Sequence, residues 1–140
     1  MSKKIIYIDG VFDLFHRGHL ESLIKAKNIT ENTYLIVGVV SDMDCASYKR
    51  TPIINELDRV EIIRNIKCVD MVIFPCPLKV DMKFIKEHNI DMVVHGFCNE
   101  MDRMKQKDFY AEIKENGYFE EIEYYDKIST TDIIKKIKQF

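Results

Sequence analysis

The 140-residue chain has no tryptophan, three prolines, five glycines and four cysteines. So few prolines and glycines leave no linker-like stretch, and neither an internal repeat nor a low-complexity tract interrupts the chain, so one domain over 1–140 is expected. Cys45, Cys68, Cys76 and Cys98 form no C-x-x-C pair and no zinc-type spacing, which suits reduced thiols better than a disulfide frame. No run approaches the roughly 18 apolar residues of a membrane span, and "MSKKIIYID" at the start carries too short an apolar run for a signal peptide. A cytoplasmic protein is therefore expected. Charge of one sign is also missing: 21 basic against 23 acidic residues give a formal charge of −2, so no overall field draws nucleic acid or an anionic membrane. Any anion site has to be local.

What the chain does have is 46% hydrophobic residues, enough for one core, arranged in short runs. Residues 3–9, 32–40, 71–74, 91–95 and, more weakly, 118–125 read as strands, the second a near-continuous apolar run of the kind buried on both faces. Between them, 18–28, 55–67, 80–88 and 102–116 read as helices. Asn55 and Asp58 are spaced as a helix cap and its partner, Asn116-Gly117 is a helix stop, and Ser129 with Asp132 caps a last helix that directs Ile133, Ile134 and Ile137 onto the sheet. The βα order predicts an α/β fold: a five-stranded parallel sheet, doubly wound, with right-handed crossovers and helices on both faces. Such sheets bind ligands beyond the carboxyl ends of their strands, where the strand order reverses.

The stretch "IYIDGVFDLFHRGHLESL", residues 5–22, falls at that place. After the first strand it puts Gly10 in a turn and His16 and His19 where the first helix begins. A helix start offers unpaired N–H groups and partial positive charge to a phosphate. Side chains three apart share a face about 5–6 Å apart, and Gly18 lets a ligand come close to the backbone. The alternative is that both histidines are surface or capping residues. With this composition H-x-G-H arises by chance in about four such chains per thousand, and its position after strand one favours the phosphate clamp.

"DGVFDLFHRGH" resembles the signature of the cytidylyltransferases of the HxGH nucleotidyltransferase superfamily, which join CTP to a phosphorylated alcohol such as phosphocholine, phosphoethanolamine or glycerol 3-phosphate. The resemblance runs on colinearly through "NTYLIVGVVSD", "YKRTPIINELDRVEIIRNIKCVD", "IDMVVHG" and "ISTTDII". It implies a single Rossmann-like domain that forms a CDP-alcohol, for phospholipid or polymer synthesis, and releases pyrophosphate. Magnesium would travel on the nucleotide with no metal ligand from the protein, and the chain would be a homodimer with no nucleic-acid partner and no membrane segment. It implies catalytic roles for His16, His19 and Lys49. Nucleotide contacts would come from Gly10, Val11, Phe12, Asp13, Gly18, Arg59, His95, Gly96, Ile128, Ser129, Thr130 and Thr131, and acceptor contacts from Asp9, Lys49, Leu78 and Glu100. On sequence alone Lys49 is an exposed loop lysine, Arg59 a solvated helix residue, Ser129 an ordinary cap and His95 a strand-end histidine.

Some positions depart from the family pattern. Tyr124 stands where relatives carry an arginine, with Lys127 nearby as a poorer substitute for a bidentate guanidinium. "HGFCNEMD" replaces a histidine followed by paired aspartates, Leu78 stands for a tryptophan and Glu100 for a tyrosine, although Glu100 and Asp102 could face a cationic head group. Two other readings remain: an adenylyltransferase of the same superfamily that makes a cofactor, and a nucleotide-binding module without turnover.

Overall fold

The computed structural model describes residues 2–140. Five strands, β1 (Lys4–Gly10), β2 (Thr33–Val39), β3 (Met71–Ile73), β4 (Met92–His95) and β5 (Phe119–Glu121), form one sheet in the order β3-β2-β1-β4-β5. Every pairing is parallel, as the alternation of strand and helix requires. The helices are α1 (Arg17–Lys27), α2 (Asp42–Tyr48), α3 (Glu56–Arg64), α4 (Met82–Glu87), α5 (Glu100–Lys105), α6 (Ala111–Glu115) and α7 (Thr130–Lys138). None of the described helices is long and apolar enough to cross a membrane.

The period-two geometry of strands sends alternate residues to opposite faces. Ile6, Ile8, Leu35 and Val37 pack on one face with Leu23 and Ala26 of α1 and Ile63 of α3. Tyr7, Ile36 and Val93 pack on the other with Phe84 and Ile85 of α4 and Ile113 of α6. Each such side chain contributes on the order of 1.5–3 kcal/mol by leaving water. With both faces covered, only the strand ends are open to a ligand.

Register decides where that opening lies. β1 and β2 stay paired up to Gly10 and Val39, whereas the β1–β4 register ends at Tyr7 and Val93. Beyond it Asp9 and His95 lie on either side of the reversal in strand order, and the crevice forms between them.

Several expectations need correction. The helix anticipated over 102–116 is broken into α5, a 3-10 turn over Lys107–Phe109 and α6. The breaks fall at Gln106 and Tyr110, whose backbones leave helical geometry and whose side chains turn inward, both being buried. The segment before Lys49, read as a loop, contains α2, capped by Ser41 accepting from the Asp44 amide. The last strand shrinks to three residues, and the last helix buries none of its side chains: Ile137 is 58% exposed, and Ile133 and Ile134 are half-buried and join none of the core clusters.

Arg59 is the largest correction. It is 1% exposed and its guanidinium faces protein. Nε donates to the Ile54 carbonyl at 2.9 Å, Nη1 to the Val11 and Val40 carbonyls at 2.7 and 2.9 Å, and Nη2 to Asp42 Oδ1 at 2.7 Å. With four of its five N–H groups consumed, Arg59 is a brace across the ends of β1 and β2 and not a phosphate ligand. Removing a buried charge from its partners typically costs about 3–5 kcal/mol. Arg59→Ala is therefore expected to lower stability by about that much in urea unfolding, and Arg59→Lys to recover only part of it, since an ammonium cannot span four acceptors. A loss below about 1 kcal/mol for the alanine variant would contradict the brace.

Candidate active site

A cleft of about 380 Å³ opens at the carboxyl ends of β1 and β4. Its first wall is the turn after β1. Phe12 and Leu14 adopt left-handed φ values of 56° and 49°, a conformation that costs non-glycine residues on the order of 1–3 kcal/mol each. The twist turns Asp13 into the protein, where Oδ1 accepts from the Ile54 amide at 2.9 Å and Oδ2 from the Ile53 amide at 2.8 Å and Arg50 Nη1 at 3.1 Å. Burial alone would raise the Asp13 pKa, but the two amides and Arg50 outweigh it and hold the carboxyl below the ordinary carboxylate value. The Asp13 carbonyl also accepts from Thr130 Oγ1 at 3.0 Å, which ties the start of α7 to the same turn.

The paired histidines form a reciprocal cap at the start of α1. The Gly18 amide donates to His16 Nδ1 at 2.9 Å, and the His16 amide donates to His19 Nδ1 at 3.2 Å. Each Nδ1 is thus an acceptor, so in the neutral rings the proton sits on Nε2 and each imidazole is a donor on its far side. The rings stack with centroids 3.9 Å apart. Burial is the first cause that drives His19 down to about 3, helped by His16 and the Lys49 ammonium and opposed by Asp13. His16 is also lowered by burial, against the pull of Asp132. Neutral donors are the result near pH 7.

Gly18 has a different reason from the one anticipated. A Cβ there would lie 2.7 Å from His16 Cε1 and 3.3 Å from the Ile128 carbonyl. The close approach it permits is that of the His16 ring, not that of a ligand.

Of the residues anticipated from the sequence, Gly10, Val11, Phe12, Asp13, His19, Lys49, His95, Gly96, Ser129, Thr130, Thr131 and Asp9 line the cleft. His16 stands directly behind His19. Ile128 does not line the cleft, and its carbonyl faces Gly18. Leu78 lines a small side cavity. Glu100 is the exception on the acceptor side: its carboxylate pairs with Arg103 on the surface and is 75% exposed. Lys49 sits at the end of α2, its amide donating to the Cys45 carbonyl at 2.9 Å.

The floor was only half legible. Asp9 and His95 are joined by Tyr110, whose hydroxyl donates to Asp9 Oδ1 at 2.6 Å and lies 3.0 Å from His95 Nδ1. Tyr110 comes from 101 residues further along the chain, and no local pattern marks it. Tyr48, Arg50, Lys105 and Tyr124 also line the cleft. Tyr48 follows directly from the position of α2, and Tyr124 occupies the place of the family arginine. Among the described residues no group of three or more His, Cys, Asp or Glu side chains could hold a metal ion.

Residues 7–136 match the model of a family described as cytidylyltransferase-like. The chain is 40% identical over 132 residues to choline-phosphate cytidylyltransferase A of Rattus norvegicus, covering 94% of this chain and 36% of that protein. It is 32% identical over 133 residues to the ethanolamine-phosphate cytidylyltransferase of Mus musculus, covering 94% and 32%. The chain thus spans about a third of the length of these curated relatives. Among solved structures, the lipopolysaccharide core biosynthesis protein from Thermoplasma volcanium GSS1 superposes with a TM-score of 0.69 at 26% identity, over 88% of this chain and 98% of that one.

The reciprocal cap fixes a pH dependence. A histidine whose pKa falls on folding binds fewer protons in the folded chain than in the unfolded one, where it titrates near 6.5. Stability from His19 is therefore whole above about pH 6.5 and is lost as the pH falls toward about 3. An NMR titration of the ligand-free protein should show no His19 midpoint between pH 5 and 8, and His19→Asn should flatten the stability slope between pH 6.5 and 4. A His19 midpoint near 6.5 would contradict the buried, neutral imidazole.

Proposed function

The chain belongs to the cytidylyltransferase-like family, and from that premise we propose that it transfers CMP from CTP to a small phospho-alcohol, phosphocholine or phosphoethanolamine, releasing pyrophosphate. The names of its relatives support the reaction class. The observation that carries the reading for this chain is the convergence of two helix starts, α1 and α7, with neutral His19 and Lys49 on one cleft.

The chemistry asks little of the protein beyond position and charge. An oxygen of the acceptor phosphate attacks the α-phosphorus of CTP, and the bond to the bridging oxygen of pyrophosphate breaks in line with it. A phosphomonoester dianion is already nucleophilic near pH 7, so no general base is required. Magnesium on the triphosphate neutralises the leaving group. Charge that develops on the α-phosphate oxygens falls to fixed donors. His19 supplies an Nε2–H, His16 stacked behind it is the second imidazole, and the α1 amides add partial positive charge. Ser129, Thr130 and Thr131 present the start of α7 opposite.

Lys49 is exposed, and no carboxylate of the described residues pairs with it. It is free to bridge the two reacting phosphates. The fold supplies the geometry that makes this bimolecular step effectively intramolecular.

Pyrophosphate release by purified protein with magnesium, each of CTP, ATP, GTP and UTP, and a panel of phospho-alcohols tests the proposal. Release that needs both CTP and an acceptor is expected, with His19→Ala reducing kcat by about 10²–10³-fold, the usual cost of one oxyanion donor. Release with ATP in place of CTP, or CTP binding with no release for any acceptor, would overturn it and favour the cofactor-making or binding-module readings.

A further inference from the structure

Two phosphate groups that must meet in one cleft repel each other, and the residues around them offer little free positive charge. Three cationic side chains line the cleft, Lys49, Arg50 and Lys105. Arg50 is committed to Asp13 at 3.1 Å, and His19 is a neutral donor. Lys49 has the reacting phosphates to bridge. A nucleoside triphosphate and a phosphomonoester brought to bonding distance carry more charge than one ammonium and one magnesium ion offset.

Lys105 comes from a separate wall. The last turn of α5 carries two cations, Arg103 and Lys105, and they are used differently. Arg103 pairs with Glu100 and Glu121 and lies over the Phe97 ring at 5.3 Å. Lys105 is exposed, lines the cleft and pairs with no carboxylate of the described residues. Asp102, one turn earlier on the same helix, does not compete for it: Oδ1 accepts from Gln106 Nε2 at 2.7 Å and Oδ2 from the Cys98 amide at 3.1 Å. The segment that leads into α7 brings no cation of its own, since Tyr124 lines the cleft and Lys127 does not.

We propose that Lys105 is a second phosphate-binding lysine, acting on the substrates' phosphates from α5 while Lys49 acts from the end of α2. The proposal rests on the transferase reading above. A lysine suits the place, because its ammonium is a compact charge with three donors on a flexible stem. It can follow a phosphate group that moves as the reaction proceeds, with no carboxylate partner to give up. It transfers no proton and forms no covalent bond; its part is to offset charge. The triphosphate and the acceptor both present phosphate, and which of the two Lys105 holds is read from the Michaelis constant it controls.

The test compares Lys105→Gln, Lys105→Arg and, as a control from outside the cleft, Lys127→Gln in the whole chain, with separate KM values for CTP and for the acceptor. Lys105→Gln is expected to raise a KM about tenfold, the equivalent of about 1.4 kcal/mol, with the melting temperature unchanged. Lys105→Arg should restore most of the loss, and Lys127→Gln should change neither KM. A rise confined to CTP places the ammonium on the triphosphate, and a rise confined to the acceptor places it on the acceptor's phosphate. Added salt should narrow the gap between wild type and Lys105→Gln, because it screens an exposed charge. A lower melting temperature with both KM values unchanged would make Lys105 only a complement to the dipole of α5 and overturns the inference. Should no acceptor turn over, calorimetry with magnesium and CTP, and then with phosphocholine or phosphoethanolamine added, still decides. Binding about tenfold weaker in Lys105→Gln upholds the phosphate site while the transferase reading fails, and equal binding of every probe overturns it.

Discussion

The site depends on the strained turn that follows β1. Left-handed Phe12 and Leu14 are unfavourable, and their conformations persist because Asp13 between them accepts three hydrogen bonds, two from backbone amides and one from a guanidinium. Bonds to a charged group are worth roughly 1.5–3 kcal/mol each, enough together to offset the strain. Val11 in the same turn accepts from Arg59, and the Asp13 carbonyl accepts from Thr130. Four segments distant in the chain, the ends of β1 and β2, the loop carrying Lys49 and the start of α7, are thereby fixed to one another. A phosphate between α1 and α7 meets donors already in place, which is the condition for electrostatic catalysis without reorganisation.

The cleft also has a polarity. At one end lie two helix starts, neutral imidazole donors and the exposed Lys49; at the other lies the Asp9 carboxylate on the floor. The same arrangement keeps the histidines uncharged near pH 7, so they contribute as directed N–H donors and not as cations that would need counter-charges within the apolar wall.

Much of this was visible in the sequence because the relevant signals are local. Apolar runs of strand length alternating with capped helices led directly to the parallel sheet, and Asn55 and Ser129 cap α3 and α7 as their spacing indicates. His16 and His19 were identifiable at the helix start, although their mutual capping depends on ring orientation. Long-range demands were not legible. A helical pattern over 102–116 could not reveal that Tyr110 is pulled inward to Asp9, breaking the helix. Arg59 has the spacing of a solvated residue, and only the convergence of Val11, Val40, Ile54 and Asp42 makes it a brace. Glu100 was misplaced because a short α5 with its own Arg103 partner carries it to the surface. The need for glycine at position 18 was plain, but its cause, the His16 ring, required the fold.

The central claim is that one cleft holds the nucleotide's phosphates between α1 and α7. A crystal structure of the protein with bound CTP tests it most directly. The account predicts triphosphate oxygens within hydrogen-bond distance of His19 Nε2 and the α7 amides. A triphosphate seated elsewhere, with His19 and the start of α7 untouched, would contradict it.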